Sequence, residues 1–385
     1  MDLPETDLTL DPARQEKARE LARIQRRLML VDLGLGGVYL LVWLLSGASL
    51  ALRGWLANLT ANAWLQVAGF AIVFGGIYVL LDLPLAYYEG FALPHRYDLS
   101  TQTLRGWVAD RLKMGLIGGV LGLVMLEVIY AVLRAFPSAW WLWAAGLLLL
   151  FNVVLANLAP VLLFPIFYKF SPLGEQHHEL EQRLLALAQK AGTRVRGVYR
   201  FDMSRRTRAA NAALTGLGNT RRIILGDTLL DEFSLDEIET VLAHELGHHV
   251  HRDIPLGMLI GAVSMLLGFY LVALVLNWGV NAFGFAGVYD IAALPLFGLT
   301  LGAFGLISMP FNNAYSRWRE RMADRYALET TRKPQAFAGA MTRLANQNLA
   351  DADPEPWVEW LLYSHPALSR RIQMAEDFET AASAP

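Results

Sequence analysis

The feature that most constrains this chain is a series of six long apolar stretches. A helix needs about 20 mostly apolar residues to cross the hydrocarbon core of a bilayer. Stretches of this kind lie near 29–52, 64–88, 114–135, 139–166, 255–278 and 289–311. Charged residues make up 18% of the chain, against roughly 25% in ordinary soluble domains. We therefore expect a mainly α, polytopic helical membrane protein with about six spans.

The distribution of Lys and Arg predicts the orientation of these spans. Basic residues are frequent before 29, between 89 and 113, in the stretch 169–252 and after 312, whereas 53–63 holds one and 279–288 none. By the positive-inside rule, both termini and the long insert face the cytoplasm. No cleavable signal peptide is expected in the first 28 residues, which carry charges of both signs. The protein would lie in the plasma membrane of a prokaryote or the endoplasmic reticulum of a eukaryote.

The spans divide the chain into soluble and membrane parts. The predicted parts are a cytoplasmic amphipathic segment at 1–28, transmembrane helices one to four at 29–168, a cytoplasmic insert at 169–254, helices five and six at 255–311, and a cytoplasmic tail at 312–385. Neither soluble part is large enough to form a stable enzyme domain alone. We expect the insert and the tail to pack together as one catalytic unit.

The insert has the local patterns of a small mixed unit. Apolar spacing predicts a helix over 175–191, and short strands are predicted over 198–201, 210–214 and 221–225. Gly218 and Asn219 are expected to form a turn between the last two strands.

The motif His244-Glu-Leu-Gly-His248 is the strongest chemical signal in the chain. Residues four apart share one face of a helix, so both imidazoles can bind a single metal ion. Glu245 is close enough to take a proton from a water molecule activated by that ion. The alternative is that His244 and His248 are surface residues of an amphipathic helix and bind no metal. The chain has no cysteine, which excludes a thiolate zinc site and a cysteine nucleophile.

A catalytic zinc site needs a third protein ligand, and the tail offers one. Glu320 and Asp324 are four residues apart, so Glu320 can bind the metal while Asp324 orients a histidine ring from behind. The alternative is a solvated helix face on which these carboxylates pair with Arg317, Arg321 and Arg325. His365 is a further candidate ligand.

Several motifs together resemble the CAAX prenyl protease 1 family, which comprises integral-membrane zinc metalloproteases of the gluzincin type. The metal motif at 244–248 is followed by Ser316-Arg-x-x-Glu320-x-x-Ala-Asp324. Further similar segments lie at 89–91, 99–104, 165–172, 211–212, 222–230 and 363–370. The resemblance thus covers most of the chain and implies a cytoplasmic gluzincin-like zinc peptidase unit with a small β-sheet.

The resemblance also implies roles for individual positions. His244, His248 and Glu320 would bind one Zn²⁺ per chain, Glu245 would be the catalytic base and Asp324 would support the site. His365 lies where the family has a histidine that steadies the oxyanion, although a capping or buried structural histidine is the alternative. Asn211 and Arg370 lie where the family contacts substrate, and a purely structural role is the alternative for both.

The chain departs from the family in one respect. Family members commonly have seven spans enclosing a water-filled chamber, and the first span is missing here. Four polar residues lie inside the apolar stretches, and we expect them to face an internal cavity rather than lipid; they are Asp82, Glu127, Asn152 and Asn157. The alternative is that Asp82 and Glu127 reach the headgroups.

These features predict a membrane-embedded zinc metalloendopeptidase for CAAX-type C-terminal processing of prenylated proteins or for related membrane-protein processing and quality control. Its substrate would be a peptide or protein, including one prenylated at its C-terminus, and its surroundings the lipid bilayer; no nucleic acid partner is expected, and the chain would act as a monomer. Three alternatives are a heat-shock-type quality-control metalloprotease, a site-two-type intramembrane protease, and a non-enzymatic membrane scaffold with a structural metal. A structural zinc usually has four protein ligands, often cysteines, which disfavours the last.

Overall fold

The computed structural model describes residues 9–216 and 220–383. The predicted turn at Gly218 and Asn219, and the first eight residues of the predicted N-terminal segment, lie outside these ranges. The described helices are α1 (Pro12–Leu45), α2 (Ala48–Leu59), α3 (Ala63–Tyr87), α4 (Leu93–Arg96), α5 (Leu104–Ala135), α6 (Trp140–Leu158), α7 (Phe164–Phe167), α8 (His178–Lys190), α9 (Asp227–Glu232), α10 (Leu235–Val250), α11 (Asp253–Phe283), α12 (Leu294–Thr331), α13 (Pro334–Gln347), α14 (Pro356–Leu362) and α15 (Leu368–Ser383).

The structure confirms the predicted number of spans, but the first predicted stretch, 29–52, is divided because α1 ends at Leu45 and α2 begins at Ala48. Six helical segments in the described residues are long and apolar enough to cross a membrane; they are Pro12–Leu45, Ala63–Arg96, Leu104–Ala135, Trp140–Phe167, Asp253–Phe283 and Ile291–Thr331. In the most apolar window of Trp140–Phe167 only 6% of the residues are buried within the protein. Such exposed apolar surface is expected of a helix whose surroundings include lipid.

Two of these helices continue beyond the apolar stretches. Helix α1 runs without a break through the predicted boundary at 28, and α12 runs from the membrane span through the predicted boundary at 312 as far as Thr331. Asp11 caps the start of α1 by accepting hydrogen bonds from the backbone N–H groups of Ala13 and Arg14. At these two boundaries the soluble and membrane parts are therefore joined by continuous helices.

The insert forms a small mixed sheet with the strand order β1-β2-β4-β3. The strands are β1 (Phe170–Pro172), β2 (Val198–Phe201), β3 (Ala212–Thr215) and β4 (Arg222–Gly226). Strand β2 pairs in parallel with β4, while β3 pairs antiparallel with β4 and β1 antiparallel with β2. Three of the four strands were predicted from the sequence, and β3 lies at an edge of the sheet.

One apolar core joins the insert and the tail. Buried residues of the sheet and of α8 to α10 contact buried residues of α12, α13 and α15; Leu225, Leu242, Leu328 and Phe337 are among them. A second, separate core lies within the membrane bundle and is centred on aromatic residues such as Trp140 and Phe297. The two soluble parts thus fold as one unit.

The N-terminal half of α1 packs against this unit. Ala18 and Leu21 form a third core with Leu93, Tyr97 and Leu349. The buried side chain of Gln15 also bonds to backbone groups of the tail at Ala350 and Ala352. The segment predicted to be a simple amphipathic helix is therefore a structural part of the soluble unit.

Two of the four polar side chains inside the spans bond to their own helix. Asn152 and Asn157 donate hydrogen bonds to carbonyl groups one turn earlier in α6, at distances of 2.8 and 2.9 Å. Glu127 is half-buried, and its Oε2 atom is buried without a hydrogen-bond partner among the described residues. Backbone bonding of this kind lowers the cost of an amide within an apolar stretch, and a water-filled cavity around these residues stays a prediction.

Candidate metal centre

Helix α10 places the two motif histidines on one face. Ser234 and Glu237 form a capping box at its start, with reciprocal hydrogen bonds of 2.8 and 3.2 Å. A Cβ atom on Gly247 would lie 2.9 Å from the Cα atom of Ala323 in α12. The glycine between the histidines therefore permits a close crossing of α10 and α12.

This crossing brings Glu320 of α12 to the two histidine rings. The Nε2 atoms of His244 and His248 are 3.2 Å apart, and they lie 3.3 and 3.4 Å from the two Glu320 oxygens. One ligand atom from each of the three residues lies within 4.8 Å of the others. The three predicted ligands thus converge on one point, although they are far apart in sequence.

The donor set fits a metal ion. The Glu320 Oε2 atom is buried and has no hydrogen-bond partner in the described part of the chain. An unsatisfied buried carboxylate oxygen is costly, and a cation held between it and the two imidazoles would remove that cost. Two imidazoles and one carboxylate form a donor set typical of catalytic zinc.

Asp324 and Arg371 support His244 from behind. Asp324 is fully buried and lies 2.8 Å from His244 Nδ1. Arg371 is also buried and donates to both Asp324 oxygens, at 2.9 and 2.5 Å. Burial alone would lower the pKa of His244, but its contact with Asp324 and the nearby negative charge of Glu320 raise the pKa to about 9. The negative charges around this ring therefore favour a cation beside it, which a metal ion can supply in place of a proton.

In the described residues, Glu320 and Asp324 do not pair with the neighbouring arginines of α12, as the alternative expected. Arg325 pairs with Glu329, and Arg317 donates to the backbone carbonyls of Glu359 and Tyr363. The cation at Asp324 is Arg371, which comes from α15 and was missed by the sequence reasoning. Its neighbour Arg370, predicted to contact substrate, is 63% exposed in its side chain and pairs with Glu359 at 3.2 Å.

Glu245 follows His244 directly in α10, and His365 lies close to Glu320. Glu245 is half-buried, and no hydrogen bond or ion pair involves its carboxylate within residues 9–216 and 220–383. His365 Nε2 lies 3.4 Å from Glu320 Oε1, while 59% of its side chain is exposed. The Glu245 carboxylate and the exposed part of His365 are therefore accessible to a molecule that enters the site.

Asn211 lies at the sheet rather than among the ligands. Its backbone carbonyl accepts a hydrogen bond from Gly226 N–H at 2.9 Å, and the residue is exposed. It directly precedes β3, the edge strand that packs against α10. The position is suitable for contact with an extended peptide added to that edge.

Comparison with protein-family models gives two matches that together cover nearly the whole chain. Residues 175–379 match the model described as "Peptidase family M48". Residues 4–169 match the model described as "CAAX prenyl protease N-terminal, five membrane helices". In that part of the chain, the described residues contain four of the six candidate spans.

Individual proteins are similar over much of their length. The chain is 32% identical to the "Uncharacterized metalloprotease YhfN" of Bacillus subtilis, over 96% of this chain and 89% of that protein. It is 30% identical to the "CAAX prenyl protease 1" of Saccharomyces cerevisiae, over 76% of this chain and 68% of that protein. The fold is similar to the crystal structure of S. mikatae Ste24p, with a TM-score of 0.83, 24% identity, and coverage of 97% of this chain and 91% of that one.

Proposed function

Because the chain belongs to peptidase family M48, as a membrane metalloprotease related to CAAX prenyl protease 1, we propose that His244, His248 and Glu320 bind one zinc ion per chain. The observation that carries this proposal is the convergence of the three ligand atoms, together with a Glu320 oxygen that no donor in the described residues satisfies. Three protein ligands leave a position open for substrate or water, as catalysis requires.

The chain's own residues supply the proton transfers of peptide hydrolysis. A bound zinc ion contributes Lewis acidity and lowers the pKa of water to about 7. Glu245 takes the proton from the attacking water and then delivers it to the leaving amine. Its carboxylate suits this role because it lies beside the ligands and is not held by another group of the described chain. His365 donates to the oxygen on which negative charge develops.

The peptide lies extended along the free edge of β3. Backbone groups of an edge strand can pair with an added strand, which holds a substrate without requiring one particular sequence. Asn211 stands at the beginning of that edge and binds the peptide backbone. Arg370 is exposed near the site and binds a negatively charged group of the substrate, such as a C-terminal carboxylate.

The proposed substrate is a membrane-associated protein with a prenylated C-terminus of the CAAX type. The relative from Saccharomyces cerevisiae is named for this processing and is similar over most of its length. The proposed orientation places the soluble unit and both termini in the cytoplasm, where the basic segments lie by the positive-inside rule. The chain acts as a monomer in the bilayer, without nucleic acid.

The test is cleavage of a farnesylated CAAX peptide by the purified full-length protein, with and without a zinc chelator. A matched peptide without the farnesyl group reports the contribution of the prenyl chain. We expect cleavage that the chelator abolishes and added zinc restores, with the farnesylated peptide preferred. Cleavage that survives complete removal of metal would overturn the zinc mechanism. Equal cleavage of both peptides would contradict recognition of the prenyl group but not the zinc mechanism.

A further inference from the structure

The second motif histidine has a support of its own at the start of a membrane helix. His248 Nδ1 lies 2.7 Å from Asp253 Oδ2, and the Asp253 side chain is only 14% exposed. Asp253 is the first residue of α11. Arg252 adopts a left-handed conformation, with φ of 57°, and thereby turns the chain from α10 into α11 within two residues. This sharp turn brings the carboxylate back to the ring that precedes it.

Arg319 holds Asp253 in place. Its Nε atom donates to Asp253 Oδ1 at 2.6 Å, and its Nη2 atom contacts the same oxygen. Nη2 also donates to the backbone carbonyl of His251 at 2.7 Å. Arg319 is only 7% exposed, and it directly precedes Glu320 in the chain. One arginine therefore joins α12, the end of α10 and the beginning of α11.

We propose that Asp253 and Arg319 are positioning residues that hold His248 in the orientation and tautomer needed to bind the metal. This inference rests on the proposed zinc at His244, His248 and Glu320. When Nδ1 carries the proton and donates it to Asp253, the lone pair of Nε2 points to Glu320 and is available to a cation. Nε2 is the His248 atom that lies 3.2 Å from His244 Nε2 and 3.4 Å from Glu320.

The arrangement repeats the one behind His244. There, Asp324 contacts the ring and Arg371 holds Asp324; here, Asp253 contacts the ring and Arg319 holds Asp253. Each imidazole thus has a carboxylate behind it, and each carboxylate has a buried arginine. The second set differs because Asp253 belongs to a membrane-spanning helix, so the position of that helix is tied directly to the metal centre.

A merely structural role is the competing explanation. The pair could brace the junction of α10 and α11 without influencing the metal, in which case its loss would lower thermal stability alone. Positioning instead predicts a loss of metal affinity even where the metal-free protein is as stable as the wild type. Changes to a group that orients a metal ligand typically cost about 10- to 100-fold in metal affinity.

The experiment compares Asp253→Asn with Asp236→Asn in the purified full-length protein. Asp236 lies in the first turn of the same α10, bonds to Lys333 and Arg183, and is away from the ligands. Zinc affinity is measured by competition with a chelator, and thermal unfolding is followed without metal. The cobalt-loaded protein also gives a visible spectrum that depends on the ligand geometry.

We expect Asp253→Asn to lower zinc affinity about 10- to 100-fold and to change the cobalt spectrum, while Asp236→Asn leaves both unchanged. Arg319→Lys keeps the charge but not the double contact with Asp253 and His251, and we expect a smaller loss of affinity in the same direction. If Asp253→Asn does not fold, the zinc affinity and cobalt spectrum of Arg319→Lys test whether the pair positions His248.

Two results would overturn the inference. The first is an unchanged zinc affinity and cobalt spectrum in both variants. The second is a drop in the unfolding temperature of the metal-free protein with no change in the cobalt spectrum, which would assign the pair to stability alone. If the wild type itself binds no zinc, the failure lies with the proposed metal site and not with its support.

Discussion

The two glutamates of the candidate centre have different surroundings, and these predict different roles. Glu320 is buried between three histidine rings, within 3.4 Å of His244, His248 and His365. Glu245, the residue after His244, is half-buried and makes no ion pair within the described residues. A buried carboxylate among imidazoles is suited to binding a cation. A partly exposed carboxylate that is free to move a proton is suited to general base catalysis.

Replacement of each glutamate should therefore have a different effect. Glu245→Gln keeps the shape and the metal but cannot accept a proton, so we expect zinc content near the wild-type level and a rate lower by about 10²- to 10⁴-fold. Glu320→Ala removes a ligand, and we expect it to lose both zinc and activity. Metal content is measured by elemental analysis and activity by peptide cleavage.

Glu239→Gln is the matched control for this pair. Glu239 lies on the same helix and pairs with Lys333 at 2.7 Å, away from the ligands. We expect near-normal zinc content and activity in this variant. Full activity in Glu245→Gln would exclude Glu245 as the base, and zinc retained in Glu320→Ala would exclude Glu320 as a ligand.

Asp324 was predicted behind a histidine ring, but its partner Arg371 and the carboxylate of Asp253 behind His248 were not. His244, Glu245 and His248 follow from helical spacing, whereas Glu320 was chosen among several candidates through the resemblance to the CAAX prenyl protease 1 family. The choice between the adjacent Arg370 and Arg371 depends on which face α15 turns toward Asp324, which short-range spacing does not determine. Asp253 is near the motif in sequence, but its contact with His248 depends on the left-handed turn at Arg252.

Among the elements, the crossing of α10 and α12 determines whether the metal centre forms. Gly247 lies at the closest point, where an added Cβ would be 2.9 Å from the Cα atom of Ala323 and 3.2 Å from its Cβ. Contacts this short with backbone cannot be relieved by rotating a side chain. The two helices would have to separate, and Glu320 would move away from His244 and His248 with them.

Gly247→Ala should consequently weaken both the fold and metal binding. We expect a loss of roughly 1–3 kcal/mol in the free energy of unfolding, as for other overpacked sites, and a reduced zinc affinity. Gly257→Ala is the control, because Gly257 is also helical and nothing lies within 4 Å of its added Cβ. Thermal unfolding and chelator competition measure the two effects. Wild-type values for Gly247→Ala would show that this crossing tolerates a wider spacing.

Helix ends were predicted less well than helix positions. The apolar stretch near 289–311 ends where charged residues begin, but α12 continues for twenty residues beyond 311, to Thr331. Hydropathy identifies where lipid-compatible surface stops, whereas a helix ends where its backbone bonding stops. The sequence between Ala314 and Thr331 contains no glycine or proline that would end it. The same argument applies to α1, which passes through 28 without a break.

For the whole molecule, the sequence was informative about the number of spans and the presence of a shared soluble unit. It was not informative about contacts between the two ends of the chain. Gln15 bonds to the backbone at Ala350 and Ala352, and Arg14 to the carbonyl of Asn346. Pairings across more than 300 residues leave no local pattern in either partner. The N-terminal part of α1 is thus joined to the segment that leads to His365.

The orientation of the whole molecule in the membrane gives a final prediction. The insert and the tail lie together, and the loop between α5 and α6 is reached only by passing along a membrane-spanning helix. The basic residues of the insert and tail favour the cytoplasm for the soluble unit. The loop between α5 and α6 must then face the opposite side. Because the chain has no cysteine, a single introduced cysteine can report its own location.

We expect Ser138→Cys, in that loop, to react with a membrane-impermeant maleimide added to intact bacterial cells that produce the protein. Gln176→Cys, in the insert, should react only after the cells are permeabilised. Both positions are exposed, so burial within the protein does not account for a difference between them, and the cysteine-free parent measures background labelling. The reverse pattern would place the soluble unit outside the cytoplasm. Access to prenylated cytoplasmic proteins would then be excluded, although the metal centre could still hydrolyse peptides on the other side of the membrane.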